Sequence, residues 1–150
     1  MRAWRLTRAT HAVDPLSGRG AALVGGRWNS PGRRMAYASS HRSLAVLEML
    51  VHTTTSSVPQ DLVFVPIEIP DRLIRAATTP PAGWDALPWS PAARRFGDAW
   101  LDDESSVGLQ VPSIVVPAEF NVLLNPAHPR FRSLLLQAPE NFALDPRLFS

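Results

Sequence analysis

Between Gly25 and Leu50 the chain brings together an Arg, its only Tyr, and a Glu on the apolar side of a predicted helix. Arg27 follows Gly25 and Gly26, whose missing side chains let a ligand come close to the backbone. A guanidinium there can clamp a phosphate or carboxylate through two parallel hydrogen bonds. Tyr37 offers a ring that stacks on a flat heterocycle and a hydroxyl that donates or accepts a hydrogen bond. Glu48 shares a helical face with Leu44, Leu47 and Val51, which follow the three-and-four spacing of a buried stripe. A carboxylate aimed at a core must be satisfied or neutralised. Each residue also has a plain reading: a Gly-Gly turn, a core tyrosine, a Glu that reaches water or an Arg from the edge of its stripe. Together they describe a cleft for something anionic, aromatic and able to become cationic.

The elements that must position these groups can be read from pattern. Ala3 to Thr7 alternates, with Trp4 and Leu6 on one side and Ala3, Arg5 and Thr7 on the other, as in a half-buried opening strand. His11 to Val24, rich in Gly and small residues, reads as a mobile loop leading to the site. A short strand over Arg34–Ala38 carries Tyr37, and a helix from about Ser40 to about Thr53 carries Glu48. Leu62 to Ile69 is the clearest strand, with Pro66 predicting an edge position or an interruption. Ser90 as cap and Pro91 at the first turn open a helix to about Leu101, with Phe96 and Trp100 inward and Arg94, Arg95 and Asp98 outward. Leu109 to Pro117 reads as one or two buried strands meeting at Pro112 beside Ser113. Asn121 to Pro126 reads as a polar stretch that builds turns, and Phe142 to Leu144 as a final strand.

Composition narrows the classes. A chain of 150 residues suits one domain, and the expected architecture is α+β with a mixed central sheet and flanking helices. All 15 basic residues are Arg and the formal net charge is only +2, so the pI of 10.3 reflects arginine's high pKa. The basic residues come singly or as Arg33-Arg34 and Arg94-Arg95, not in the cluster a nucleic-acid binder uses. Without Cys there is no disulfide, thiolate or Cys-metal chemistry. Asp102-Asp103-Glu104 lacks spaced ligands and reads as solvated surface, so no metal is expected. No segment approaches the ~18 apolar residues that span a bilayer, and Met1 to Thr10 lacks a leader's apolar core, which points to a cytoplasmic protein. His52 could act as acid or base, but a helix-terminal His is more often a cap. Nothing near Ser113 resembles a nucleophile elbow.

Gly25-Gly26-Arg27-Trp28-Asn29, then Tyr37, Leu47-Glu48 and His52, then Val111-Pro112-Ser113 and Asn121 to His128, resemble the RES domain, the toxin half of RES–Xre toxin–antitoxin pairs. The family is named for an Arg, a Glu and a Ser, matched by Arg27, Glu48 and Ser113, and the resemblance runs in order over nearly the whole of residues 1–150. It implies an ADP-ribosyltransferase-like fold that binds NAD as substrate and breaks its nicotinamide–ribose bond.

The implied catalytic set is Arg27, Tyr37, Glu48 and Ser113; the implied NAD-binding set is Arg5, Arg27, Trp28, Asn29, Tyr37, Asn121 and Asn125. Glu48 would counter the charge of an oxocarbenium-like transition state, Arg27 with Arg5 would hold the pyrophosphate, Tyr37 would stack on nicotinamide, and Ser113 would orient the nicotinamide or Glu48. Water or phosphate as acceptor would deplete NAD, while a protein acceptor would make the chain a mono-ADP-ribosyltransferase. A non-catalytic module binding NAD or a partner is a further alternative. The resemblance also implies an Xre-like antitoxin that covers the active site and carries the DNA contact, and it is compatible with a homodimer.

Overall fold

The computed structural model describes residues 1–54 and 57–149. Part of the polar run from Thr53 to Ser57, in which the Glu48 helix was expected to end, lies outside the described residues. Among the described residues, eight strands form one mixed sheet flanked by helices. In chain order the elements are β1 (Arg2–Arg8), α1 (Arg19–Val24), β2 (Ala36–Ser39), α2 (Arg42–Leu50), β3 (Leu62–Glu68), β4 (Ile74–Ala76), α3 (Pro91–Asp103), β5 (Gly108–Pro112), β6 (Phe120–Leu124), β7 (Leu135–Leu136) and β8 (Glu140–Phe142).

The sheet runs β4-β5-β6-β2-β1-β3-β7, with β8 sharing the β3 edge with β7. Among the described residues, only the β4–β5 pair is parallel. The pairing is uneven. β1 follows β3 from Arg2 opposite Glu68 to Arg8 opposite Leu62, and β2 follows β6 along its length, whereas β1 and β2 meet at the single register Trp4 opposite Ser39. The sheet is thus two half-sheets joined at a seam. One buried cluster, which includes Ala3, Ala36, Ile67 and Val122, lies on one face. A second, with Trp28, Met35, Trp100, Val111 and Leu123, holds α3 to the other.

Several local expectations are corrected. Pro66 lies inside the sheet: its carbonyl accepts from Gln137 N at 3.0 Å, so its nitrogen faces that same side, where β7 and β8 leave a gap between Ile67 and Phe64. No ladder bond is lost there. Residues 11–24 contain α1 rather than a plain loop. The segment after β5 turns at Ser113 and does not continue as a second strand, and the first part of the Asn121–Pro126 stretch, expected to build turns, belongs to strand β6. The last strand falls at Glu140–Phe142, two residues earlier than the stretch expected and sharing Phe142 with it. On α2 the buried positions are Leu44 and Ala45, while Leu47 is 39% and Val51 57% exposed. The apolar stripe therefore turns away from its expected line, and Glu48 borders it.

α3 forms as its sequence dictates, with Ser90 Oγ accepting from Ala92 N and Pro91 at the first turn. Ala93, Gly97, Trp100 and Leu101 are buried, and Phe96 packs edge-on against Trp28. Gly97 is obligatory here, because a Cβ would lie 1.8 Å from the Trp28 carbonyl oxygen. Arg94 and Asp98 do not point outward: Arg94 donates to the Gly26 carbonyl from Nε and Nη2, and Asp98 accepts from Ser30 N and Oγ. The polar side of α3 thereby fixes the loop that carries Arg27.

Candidate active site

The seam between the half-sheets opens into a cleft of two connected lobes. The larger, of about 670 Å³, is bounded by the Gly25–Trp28 loop, by Leu87 and Trp89, and by the turn after β5. The smaller, of about 220 Å³, lies against β1 and α2 and includes Trp4, Arg5, Leu6 and Met49. Tyr37, Glu48, His52 and Asn121 line both.

Glu48 stands at this junction because α2 starts just after β2 and packs on β1. Its Oε1 accepts from Ser113 Oγ at 2.8 Å and from Asn121 Nδ2 at 2.5 Å. Both donors are held in turn. Ser113 Oγ accepts from Val116 N, closing the turn after β5, and Asn121 Oδ1 accepts from Ser39 Oγ across the β2–β6 register. Among the described residues Glu48 Oε2 has no hydrogen-bond partner, so one carboxylate oxygen is fixed and the other is open to the cleft.

Tyr37 is organised differently. Its hydroxyl donates to Asn29 Oδ1 at 2.7 Å and accepts from Trp28 N at 3.2 Å, and burial raises its pKa well above the ordinary tyrosine value. The hydroxyl is neutral and saturated, leaving the ring as the part that faces ligand space. Gly26 exists for this bond, since a Cβ there would come within 2.5 Å of the Tyr37 hydroxyl. The close approach that the two glycines permit is made by the protein's own tyrosine.

Arg27 lines the large lobe. Its Nη1 donates to the carbonyls of Trp84 (2.9 Å) and Ala86 (3.2 Å), and its guanidinium lies 5.4 Å from the Trp89 ring centre. Arg27 thus anchors the irregular 84–89 segment along the rim, with its remaining N–H groups still available to an anion. The rim exposes apolar side chains: Val24 is 76%, Leu87 75% and Trp89 43% exposed.

Arg5 is the residue whose surroundings the alternation of β1 least revealed. Ala3 and Thr7 on its side of the strand are buried, and where β1 and β2 part beyond Trp4, Arg5 Nη1 donates to the Tyr37 carbonyl at 2.6 Å.

The candidate residues therefore divide. Arg5, Arg27, Trp28, Tyr37, Glu48 and Asn121 line the cleft, and Ser113 is buried behind Glu48. Asn29 and Asn125 are buried away from it. The Asn29 amide donates to the carbonyls of Ala21, Ser30 and Arg33; that of Asn125 donates to the Leu101 carbonyl while its Oδ1 accepts from Ala127 N. With their polar atoms so engaged, both organise backbone in this structure. His52, set aside on sequence as a cap, lines both lobes one turn beyond Glu48. The i to i+4 spacing from Glu48 was the available signal. No cluster of metal-ligating side chains occurs among the described residues.

A family model described as RES domain matches residues 2–145. Over 152 residues the chain is 40% identical to a Sphingobium sp. (strain YBL2) protein named Prs ADP-ribosylating toxin, covering 97% of this chain and 94% of that one. A protein of Yersinia enterocolitica named Toxin Res is 40% identical over 151 residues, with 99% of each chain covered. One of Pseudomonas putida, also named Toxin Res, is 38% identical over 151 residues and covers 97% of this chain and 98% of its own. The fold is similar to a chain in the crystal structure of the M. tuberculosis MbcT–MbcA toxin–antitoxin complex, with a TM-score of 0.70 at 20% identity over 99% of this chain and 86% of that one.

Proposed function

The chain belongs to the RES domain family, and on that premise we propose that it is the toxin of a toxin–antitoxin pair and consumes NAD by breaking the bond between nicotinamide and ribose. The observation that carries the reading is the half-committed carboxylate at the junction of the two lobes. Glu48 is fixed through Oε1 by Ser113 and Asn121, and its free Oε2 faces the space a ribose would occupy.

As the C1–N bond breaks, its electron pair moves to the ring nitrogen and nicotinamide leaves neutral. Positive charge develops at the ribose, where an oriented carboxylate stabilises it more than it stabilises the bound substrate. Arg27 draws the pyrophosphate to the large lobe, the Tyr37 ring covers the nucleotide, and Ser113 acts through Glu48. The acceptor, water or phosphate, forms the new C1–O bond; with water, the proton released passes to Glu48 Oε2 or to solvent.

The name of the Sphingobium relative favours a second reading, in which a protein side chain is the acceptor and becomes ADP-ribosylated. The exposed apolar rim of Val24, Leu87 and Trp89 suits a protein surface, either such an acceptor or an Xre-like antitoxin that covers the mouth. The protein is proposed to act in the cytoplasm; no helix among the described residues is long and apolar enough to cross a membrane.

The test is NAD consumption by the purified chain in phosphate-free and phosphate buffers, and with host lysate, with the products identified by mass. Nicotinamide release with ADP-ribose or its 1-phosphate supports NAD degradation. Nicotinamide release with a mass increment on a lysate protein supports the second reading. An intact NAD pool in all three conditions overturns both.

A further inference from the structure

Ser113 and Asn121 can aim Glu48 only as well as α2 itself is held. Leu44 and Ala45 bury this helix, but burial is non-directional: it presses α2 onto the sheet without fixing where the helix stands along its own axis. The start of α2 is also unusual. His41 occupies the N-cap, where a Ser, Thr, Asp or Asn would bond the first N–H groups, and its ring makes no such bond. His41 Nδ1 lies instead 3.1 Å from Ser40 Oγ and 3.4 Å from Glu119 Oε2.

Glu119 belongs to the turn that carries Ser113. Ser113 N donates to the Glu119 carbonyl at 3.0 Å, and Glu119 N to the Val116 carbonyl at 2.9 Å, so the two residues are the ends of one closed turn. On α2, His41 and Glu48 are seven positions apart, two helical turns along one face and about 10 Å. The turn therefore meets α2 twice, at the cleft through Ser113 and Glu48 and nearer the surface through Glu119 and His41. Two such points fix an axial position that one leaves free.

The outer contact is built around an unanswered oxygen. Glu119 Oε2 is buried and has no hydrogen-bond partner among the described residues, and His41, within ion-pair distance, is the group that faces it. Arg42, the next cation along α2, is committed to Glu140 at 2.6 Å and to the Trp4 ring. A buried carboxylate oxygen left without a donor costs stability, and a turn that had only to close could carry an apolar side chain there. The bond from Ser40 N to the Phe120 carbonyl already joins the same two segments through backbone.

We propose that Glu119 and His41 are positioning residues for Glu48: their contact sets where α2 stands against the turn, and through it the direction in which Glu48 Oε2 enters the cleft. The kinetic consequence rests on the NAD reading above. Neither residue lines either lobe, so a displaced α2 slows bond breaking and leaves substrate affinity as it was.

The test takes Glu119→Ala, His41→Ala, the double variant and Glu119→Gln through NAD turnover, thermal melting and NMR of the Asn121 side-chain amide, whose resonance is identified by its loss in Asn121→Ala. That amide reports on Glu48 directly, because Asn121 Nδ2 donates to Oε1 at 2.5 Å. Each Ala variant should shift the amide resonance and lower kcat about tenfold, with KM for NAD within about twofold. The double variant should fall no further, because both changes break one contact. Glu119→Gln should keep kcat within about threefold of wild type, since its amide donates to a bare His41 Nδ1 and accepts from a protonated one. Melting temperatures should stay within about 4 °C of wild type. An unmoved amide in the Ala variants overturns the proposal, as do losses that multiply in the double variant or a Gln variant as impaired as Ala. If Glu119→Ala fails to fold, the amide and kcat of His41→Ala decide. If wild type consumes no NAD, the NAD reading falls, and the amide resonance still decides the positioning.

Discussion

The two walls of the cleft handle their polar groups in opposite ways. On the Gly25–Tyr37 wall the protein answers its own groups: the Tyr37 hydroxyl gives to Asn29 and receives from Trp28, and Arg27 is drawn onto the Trp84 and Ala86 carbonyls. On the α2–β6 wall, two donors converge on a single oxygen of Glu48 and leave the other open. Saturation, complete at the Tyr37 hydroxyl and partial at Arg27, marks scaffold, because a ligand gains little from groups already bonded. Capacity held open inside a rigid frame marks chemistry.

The largest effect should come from Glu48→Gln. It removes the open oxygen's charge but keeps its shape, so kcat for NAD consumption should drop by about 10²–10³-fold while the melting temperature stays near that of wild type. A variant of unchanged kcat would erase the distinction between the walls. Tyr37→Phe should do the reverse. It strands Asn29 Oδ1 and Trp28 N, so denaturant unfolding should register a loss of about 1–3 kcal/mol, with kcat per folded molecule within a few-fold. A collapse in kcat at unchanged stability would mean the hydroxyl does chemistry. Asn121→Ala takes away one of the two bonds to Oε1, and steady-state kinetics should find kcat lowered about tenfold with KM little changed. Should KM rise instead, Asn121 contacts ligand rather than Glu48. The smallest effect is expected from Arg27→Lys, which keeps the charge but loses the fork on the two carbonyls. The KM for NAD should rise about two- to fivefold, roughly 0.4–1 kcal/mol, with a shift in tryptophan fluorescence as the Trp89 segment loosens.

The same contrast explains what could be read from the sequence. Arg27, Tyr37, Glu48 and Ser113 could be picked out because their residue types are costly on an apolar background and their motifs are spaced in a recognisable order. Elements with a regular period were also legible: β3 by its apolar run, α3 by Ser90-Pro91 and its stripe. The misreadings occurred where a partner distant in sequence decides the outcome. Pro66 is tolerated inside the sheet only because β7 and β8 leave a gap opposite it. Leu47 and Val51 lie on the exposed side of α2 because β1 takes Leu44 and Ala45 instead. Asn121 read as a turn residue, since nothing in its neighbours announces that Ser39 and Glu48 await it across the sheet. Asn29 and Asn125 belong to conspicuous motifs, but those motifs serve the backbone.

The separation in sequence between Glu48 and its two donors has a consequence during synthesis. Ser113 and Asn121 follow it by 65 and 73 residues, so a growing chain displays the carboxylate long before it can be aimed. Until β6 has left the ribosome and paired with β2, Oε1 lacks its Asn121 donor and the seam has only one flank. Pairings this remote are also slow to form. A chain that stops anywhere before β6 lacks Asn121 and the strand that pairs with β2, so the site is finished only after β6 has been made.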